Sequence, residues 1–304
     1  VMSLILGMGL PTTANYIVVS SLMAPVIVSV GASTGLIVPL VAVHLFVFYF
    51  GILADDTPPV GLAAFAAAAI SGGDPIRTGI QGFTYDIRTA LLPFLFIFNT
   101  ELLLIDVTVY KAVFIFIVAV VAMMLFAAAT QGYFLTRSRI WETVALILVA
   151  FTLFRPGFWL DYVQPPYEDR PGAEVVAIAA AQPDNANLRL VITGPDFDDP
   201  DKIGERTILA ALGPAGDGLQ RLEQAGLPVR EEDGKAILDE PFAGTPFFTD
   251  FTDTFDFYGD VPVEIAKVQL AAERMPKEVF YIPALLLLVL IVLSQRRRQT
   301  VPAF

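Results

Sequence analysis

Two short polar stretches stand inside apolar sequence, and their residue types are those that hold a small cation or a carboxylate. The first is Pro11-Thr12-Thr13-Ala14-Asn15, preceded by Gly7 and Gly9; the second is Asp55-Asp56-Thr57-Pro58-Pro59. The hydroxyls of Thr12, Thr13 and Thr57, the Asn15 amide and the two carboxylates are hard oxygen donors. Gly9, Pro11, Pro58 and Pro59 add carbonyls, because proline donates no hydrogen bond and breaks the helical ladder. A helix N-terminus following each break would suit a carboxylate. In lipid, freed backbone survives only where it faces protein, water or a bound solute, and paired interrupted segments are the sequence pointer to a transport site. The bland alternative is a proline kink or a turn outside the membrane; two breaks in adjacent segments favour transport.

Other groups with chemistry to offer carry both a functional and a plain reading. His44, the only histidine, lies in an apolar run. It would relay protons, with Asp55 as a second proton carrier, or pack against a neighbouring helix through a hydrogen bond. Asp55 and Asp56 bind a cation or take up a proton if buried, and are merely solvated if the break opens to water. Asp196-Phe197-Asp198-Asp199-Pro200-Asp201 concentrates carboxylates but lacks the glycine and distal glutamate of a calcium loop, so it reads as a solvated acidic turn. With no cysteine there is no thiolate nucleophile or zinc-thiolate site, and with no Gly-x-Ser-x-Gly there is no hydrolase signature.

The elements that must position these residues follow from composition. Of 304 residues, 55% are hydrophobic and 16% charged, against roughly a quarter charged in soluble domains. From Asp161 to Glu278 there are 24 acids and 10 bases, a net of −14; the remainder carries 7 acids and 9 bases, a net of +2. Two physical regimes share one chain, and no stretch is basic enough to suggest nucleic acid.

A bilayer core about 30 Å thick needs ~20 apolar helical residues. Ala112 to Leu135, Trp141 to Phe154 (extending to Leu160) and Val279 to Leu293 meet that as clean spans, and the topology adds a span at about Thr89 to Ile105 before them. Met2 to Val30 is interrupted at its polar patch, and Leu36 to Ile70 at Asp55 to Pro59. Placing Arg137, Arg139 and Arg296 to Arg298 on the cytoplasmic side puts Asp161 to Glu278 outside and brings Arg77 and Arg88 inside as well. Parity then makes Met2 to Val30 a re-entrant hairpin with its tip at Pro11 to Asn15. The outer region alternates in strand fashion at Leu188 to Thr193 and Thr207 to Leu212, has helical spacing at Leu219 to Ala225, and offers Ala236 to Leu238 and Val261 to Ala271 as further strands.

Gly7-Met8-Gly9-Leu10-Pro11-Thr12-Thr13-Ala14-Asn15-Tyr16, then His44-Leu45-Phe46-Val47-Phe48-Tyr49-Phe50-Gly51, then Thr57-Pro58-Pro59-Val60-Gly61 resemble the large-permease portion of tripartite ATP-independent periplasmic (TRAP) transporters, nearest to the fused-permease branch. The resemblance covers about residues 1 to 135, and the acidic region with its terminal helix resembles a C-terminal extension of some fused permeases. It implies an elevator-type permease, driven by a Na+ (or H+) gradient and fed small organic acids by a periplasmic substrate-binding protein, with no cofactor. It implies substrate and ion contacts at Gly9, Pro11, Thr12, Thr13 and Asn15 and at Thr57, Pro58, Pro59 and Gly61, with Na+ at Thr12, Thr13 and Thr57; Asp56 joins the second set from the reading of the residues alone, since the family usually has uncharged residues there. The partners implied are the bilayer, the N-terminal half of the permease and small-permease helices, because the chain begins Val-Met-Ser and reads as a piece of a longer protein.

The expected fold class is a mainly α membrane protein, with transmembrane helices, a re-entrant hairpin and a broken helix, plus a small α+β extramembrane domain. Residues 1–135 form the C-terminal half of the permease domain, 136–160 an additional span, 161–278 the acidic periplasmic domain, and 279–304 the terminal helix and basic cytoplasmic tail. The alternative function is a membrane-anchored scaffold or sensor whose acidic domain binds a partner.

Overall fold

The computed structural model describes residues 2–7, 11–54, 57, 61–105 and 107–298. Gly9, Asp55, Asp56, Pro58 and Pro59 therefore lie outside the described residues. The chain divides into two compact units: residues 1–27, 39–164 and 274–304, and residues 28–38 with 165–273. The first holds α1 (Met2–Gly7), most of α2 (Thr12–Ser33), α3 (Leu40–Leu53), α4 (Leu62–Ser71), α5 (Pro75–Phe98), α6 (Val109–Gln131), α7 (Ile140–Phe154) and α8 (Gly157–Val163). Among the described residues three helices are long and apolar enough to cross a bilayer: Thr12–Ser33, Val109–Gln131 and Lys277–Arg296.

Each departure from the sequence expectation has a local cause. The segment expected to enter and leave on one side contains α2, one continuous helix of 22 residues that is long and apolar enough for a span by length and composition. Its polar residues Thr12, Thr13 and Asn15 fall in the opening turns of that helix and not in a loop. The span expected from Thr89 starts at Pro75, because Asp74 caps the helix, accepting from the Arg77 N–H at 2.8 Å, with proline at the first helical position. The run from Trp141 does not continue to Leu160: α7 and α8 are bent by 83°, at Arg155-Pro156. The interruption of the Leu36 to Ile70 segment is present, as α3 and α4 are separate helices of 14 and 10 residues.

The second unit is an antiparallel sheet with three short helices. In chain order it contains β1 (Tyr167–Pro171), α9 (Val175–Ala181), β2 (Asn187–Pro195), β3 (Ile203–Ala211), α10 (Gly218–Gln224), β4 (Val229–Glu232), β5 (Lys235–Leu238), α11 (Phe248–Thr252) and β6 (Glu264–Ala271). The sheet order is β3-β2-β6-β5-β4, with β1 also pairing β6. Leu188, Leu190 and Ile192 alternate into the core with Ile208 and Ala210 opposite, and Leu222, Phe251 and Phe255 close it. Arg221, 2% exposed, donates to the carbonyls of Ala179, Gln182, Pro183, Leu212 and Gly213, so its charge is met entirely by backbone dipoles. The acidic turn at Asp196 accepts from the Asp198 and Asp199 N–H groups, and no metal-holding cluster occurs among the described residues.

Back in the first unit, α12 (Tyr281–Arg296) packs on α7. Its shared core with α6 and α7 is built from small residues, Ala122, Ala129, Ala145, Ala150 and Ala284, between Leu146, Val149 and Ile291. Small side chains let helix backbones approach where lipid supplies no hydrophobic drive. Opposite faces, such as Phe116, Ile117 and Met124 on α6, stay exposed and apolar. At one end a polar staple fixes the register. Glu142, fully buried, accepts from the Arg139 N–H, Ser294, Gln295 and Arg298, while Gln295 accepts from the Leu135 and Thr136 N–H groups. At the other end Glu101 joins Lys111, at 2.6 Å, to Lys277.

Candidate functional site

The site is built by the first turn of α2 and the end of α3. Pro11 precedes α2 and accepts from the Asn15 N–H at 2.9 Å, closing the first turn. That turn aims Asn15 inward, where it is 2% exposed, while Pro11, Thr12 and Thr13 face outward and are exposed. The Asn15 Nδ2 donates to the Gly51 carbonyl at 2.8 Å, so the two interrupted segments meet one turn before the second break. Gly51 is needed for the approach: a Cβ there would lie 2.9 Å from that Nδ2. Among the described residues the Asn15 Oδ1 is buried and has no hydrogen-bond partner. A buried acceptor left open costs free energy unless something fills it, and a dehydrated cation is such a filler.

At the next residue of α2 the Tyr16 hydroxyl and His44 Nδ1 are 2.9 Å apart, and Tyr16 meets Phe48 edge-on at 5.7 Å. His44 is thus engaged with a neighbouring helix, the plainer of its two readings. Thr57 turns its hydroxyl back onto the Leu53 carbonyl at 2.6 Å, and its own carbonyl accepts from the Gly61 N–H at 3.0 Å. Gly61 is buried and precedes α4 with no side-chain cap, so the first N–H groups of α4 lack a side-chain acceptor.

The structure therefore joins Asn15 to the α3 segment and places Thr57 with Gly61, while Thr12 and Thr13 do not point at either. Tyr16 and Gly51 were missed as members of the site. Both stand within the polar and aromatic strings of the sequence, but only the register of α2 against α3 pairs residues 28 and 36 positions apart.

Outside this site, burial raises the proton affinity of Glu101, but hydrogen bonds from Lys111 and Lys277 outweigh it and hold the carboxyl below its ordinary range. On the sheet, the hydrogen bond from Lys267 holds Asp169 below its ordinary range and raises Lys267 in return. Both are structural ion pairs far in sequence from Asn15.

Residues 112–301 match the family described as "Domain of unknown function (DUF3394)", and residues 1–111 match the family described as "Tripartite ATP-independent periplasmic transporter, DctM component". No curated protein matches the chain, and no solved structure does.

Proposed function

From the premise that the chain belongs to the DUF3394 family and carries in residues 1–111 a DctM-component segment of TRAP transporters, we propose that it imports small organic acids using an ion gradient, with Asn15 at the ion site. The DctM-component match over residues 1–111 supports a multi-pass membrane permease that works with a periplasmic binding protein. The finer reading rests on one observation, the buried Asn15 Oδ1 that has no partner among the described residues, beside the Gly51 carbonyl.

In this reading the Oδ1 is one oxygen ligand of a sodium ion, and the open amides at the start of α4 face the substrate carboxylate. The second break supplies further oxygens from Asp56 and Thr57 and the carbonyls around Pro58 and Pro59, with Gly9, Pro11, Thr12, Thr13 and Gly61 as the remaining contacts of the proposed site. Thr57 contributes its hydroxyl after rotating off Leu53. His44 stays a packing residue bonded to Tyr16, and sodium is preferred to protons because the open group is an amide oxygen that does not titrate. Alternating access follows the elevator scheme, against a scaffold of further permease helices. The basic groups at Arg137, Arg139 and Arg296 to Arg298 lie in the cytoplasm and the acidic domain in the periplasm.

Alanine at Thr12, Thr13, Asn15 or Thr57, in the full-length protein reconstituted with its binding protein, is expected to lower sodium-driven uptake by about tenfold or more, the scale of a lost contact to a charge. Insertion should be unchanged. Normal uptake in all four variants would overturn the assignment.

A further inference from the structure

The sheet domain contains the end of α2 within its own compact unit, residues 28–38. The helix closes in a Schellman motif: Gly35 has φ +75°, the Leu36 N–H reaches the Gly31 carbonyl at 2.8 Å and the Gly35 N–H reaches Ala32 at 3.3 Å. Two arginines of the sheet hold it there. Arg206, 7% exposed, donates to the Ser29 carbonyl at 2.8 Å and to the Ser29 hydroxyl at 3.1 Å. The same guanidinium is anchored by Asp250 at 2.8 Å and the Thr254 hydroxyl at 2.9 Å. Arg189 donates to the Gly35 carbonyl, braced by Gln269 at 2.7 Å and by the Tyr167 ring at 4.5 Å.

Register makes this a wrap and not a touch. Arg206 pairs with Ile192 and Arg189 with Leu209, so the arginines leave opposite faces of the sheet. β3 is an edge strand, and the arginines reach the end of α2 from both faces of the β2–β3 pair. Two cations at a helix C-terminus complement its dipole. The opening turns of the same helix carry Asn15. Pro25 lies between the two ends, removing the N–H that would bond the Ser21 carbonyl, and the unit boundary falls just beyond it, after Ile27.

We infer that the DUF3394 sheet domain acts as a grip on the transport helix: by holding residues 28–38 through Arg206 and Arg189 it sets how the first turn of α2 is presented at the ion site. This rests on the transport reading above.

Hydrogen–deuterium exchange on the full-length protein in lipid nanodiscs, with R206Q and R189Q, tests it alongside uptake. The grip predicts that exchange in residues 28–38 rises by about tenfold, the scale of a lost charge-assisted hydrogen bond, and that exchange at Thr12 to Tyr16 rises with it. β2 and β6 should stay protected, and uptake should fall severalfold at unchanged insertion. Loosening of residues 28–38 with Thr12 to Tyr16 and uptake unchanged, or no loosening at all, would overturn it. Should R206Q strip protection from β2 and β6, R189Q decides on the same criteria. A wild-type protein that takes up nothing would end the transport reading, and exchange at Thr12 to Tyr16 would still decide the grip.

Discussion

Asn15 does two jobs with one amide: its Nδ2 holds Gly51, and its Oδ1 remains open. The contact tolerates no extra atom. In Gly51→Ala the new Cβ would meet the amide at 2.9 Å and push it off its carbonyl, an overpacking cost of about 1–3 kcal/mol. Sodium-driven uptake should fall with insertion intact; wild-type uptake would show that the pairing has no part in the site. Glu101 is one carrier of the pH dependence. Its carboxyl is held below the ordinary value of 4.5 despite burial, so its ion pairs with Lys111 and Lys277 stabilise the fold above that value. The contribution is lost as pH falls through the lowered folded pKa. Thermal unfolding followed from neutral to acid pH should show a larger loss below about pH 4.5 in the wild type than in Glu101→Gln.

At the scale of elements, the outer domain depends on Arg221, which ties α9, the end of β3 and α10 through five carbonyls. Arg221→Ala leaves those acceptors buried and open, and should destabilise the sheet domain by roughly 3 kcal/mol or more, read as faster proteolysis of residues 165–273. Much of this level was legible in the sequence. The alternations at Leu188 to Thr193 and Thr207 to Leu212 became β2 and β3, Leu219 to Ala225 became α10, and Asp55 to Pro59 separates α3 from α4. What escaped was set by single caps or by distant partners. Asp74 starts α5 well before the apolar run begins, and the bend at Arg155-Pro156 cuts a continuous hydrophobic stretch. β1 was hidden because Tyr167 to Pro171 is exposed throughout and has no alternation to read; only β6 makes it a strand. The candidate site was half legible: Asn15 could be nominated from its type and place, but its open oxygen is a property of packing.

For the whole molecule, charge separates what each part can do. The apolar helices bury a core rich in alanine and expose large apolar residues on their outer faces, while the sheet domain carries the acid excess. One helix, α2, belongs to both units, so the opening turn that carries Asn15 and the grip at Ser29 and Gly35 are two ends of a single element. A ligand that binds only the folded state stabilises all of it, by about 2.7 kcal/mol at a hundred times its dissociation constant. The measurement closest to the central claim is therefore thermal unfolding of the purified protein in sodium chloride against choline chloride at equal ionic strength. The wild type should melt about 2–4 °C higher in sodium, and Asn15→Ala at the same temperature in both salts. A wild type indifferent to sodium, or an Asn15→Ala variant that keeps the full shift, would contradict the account.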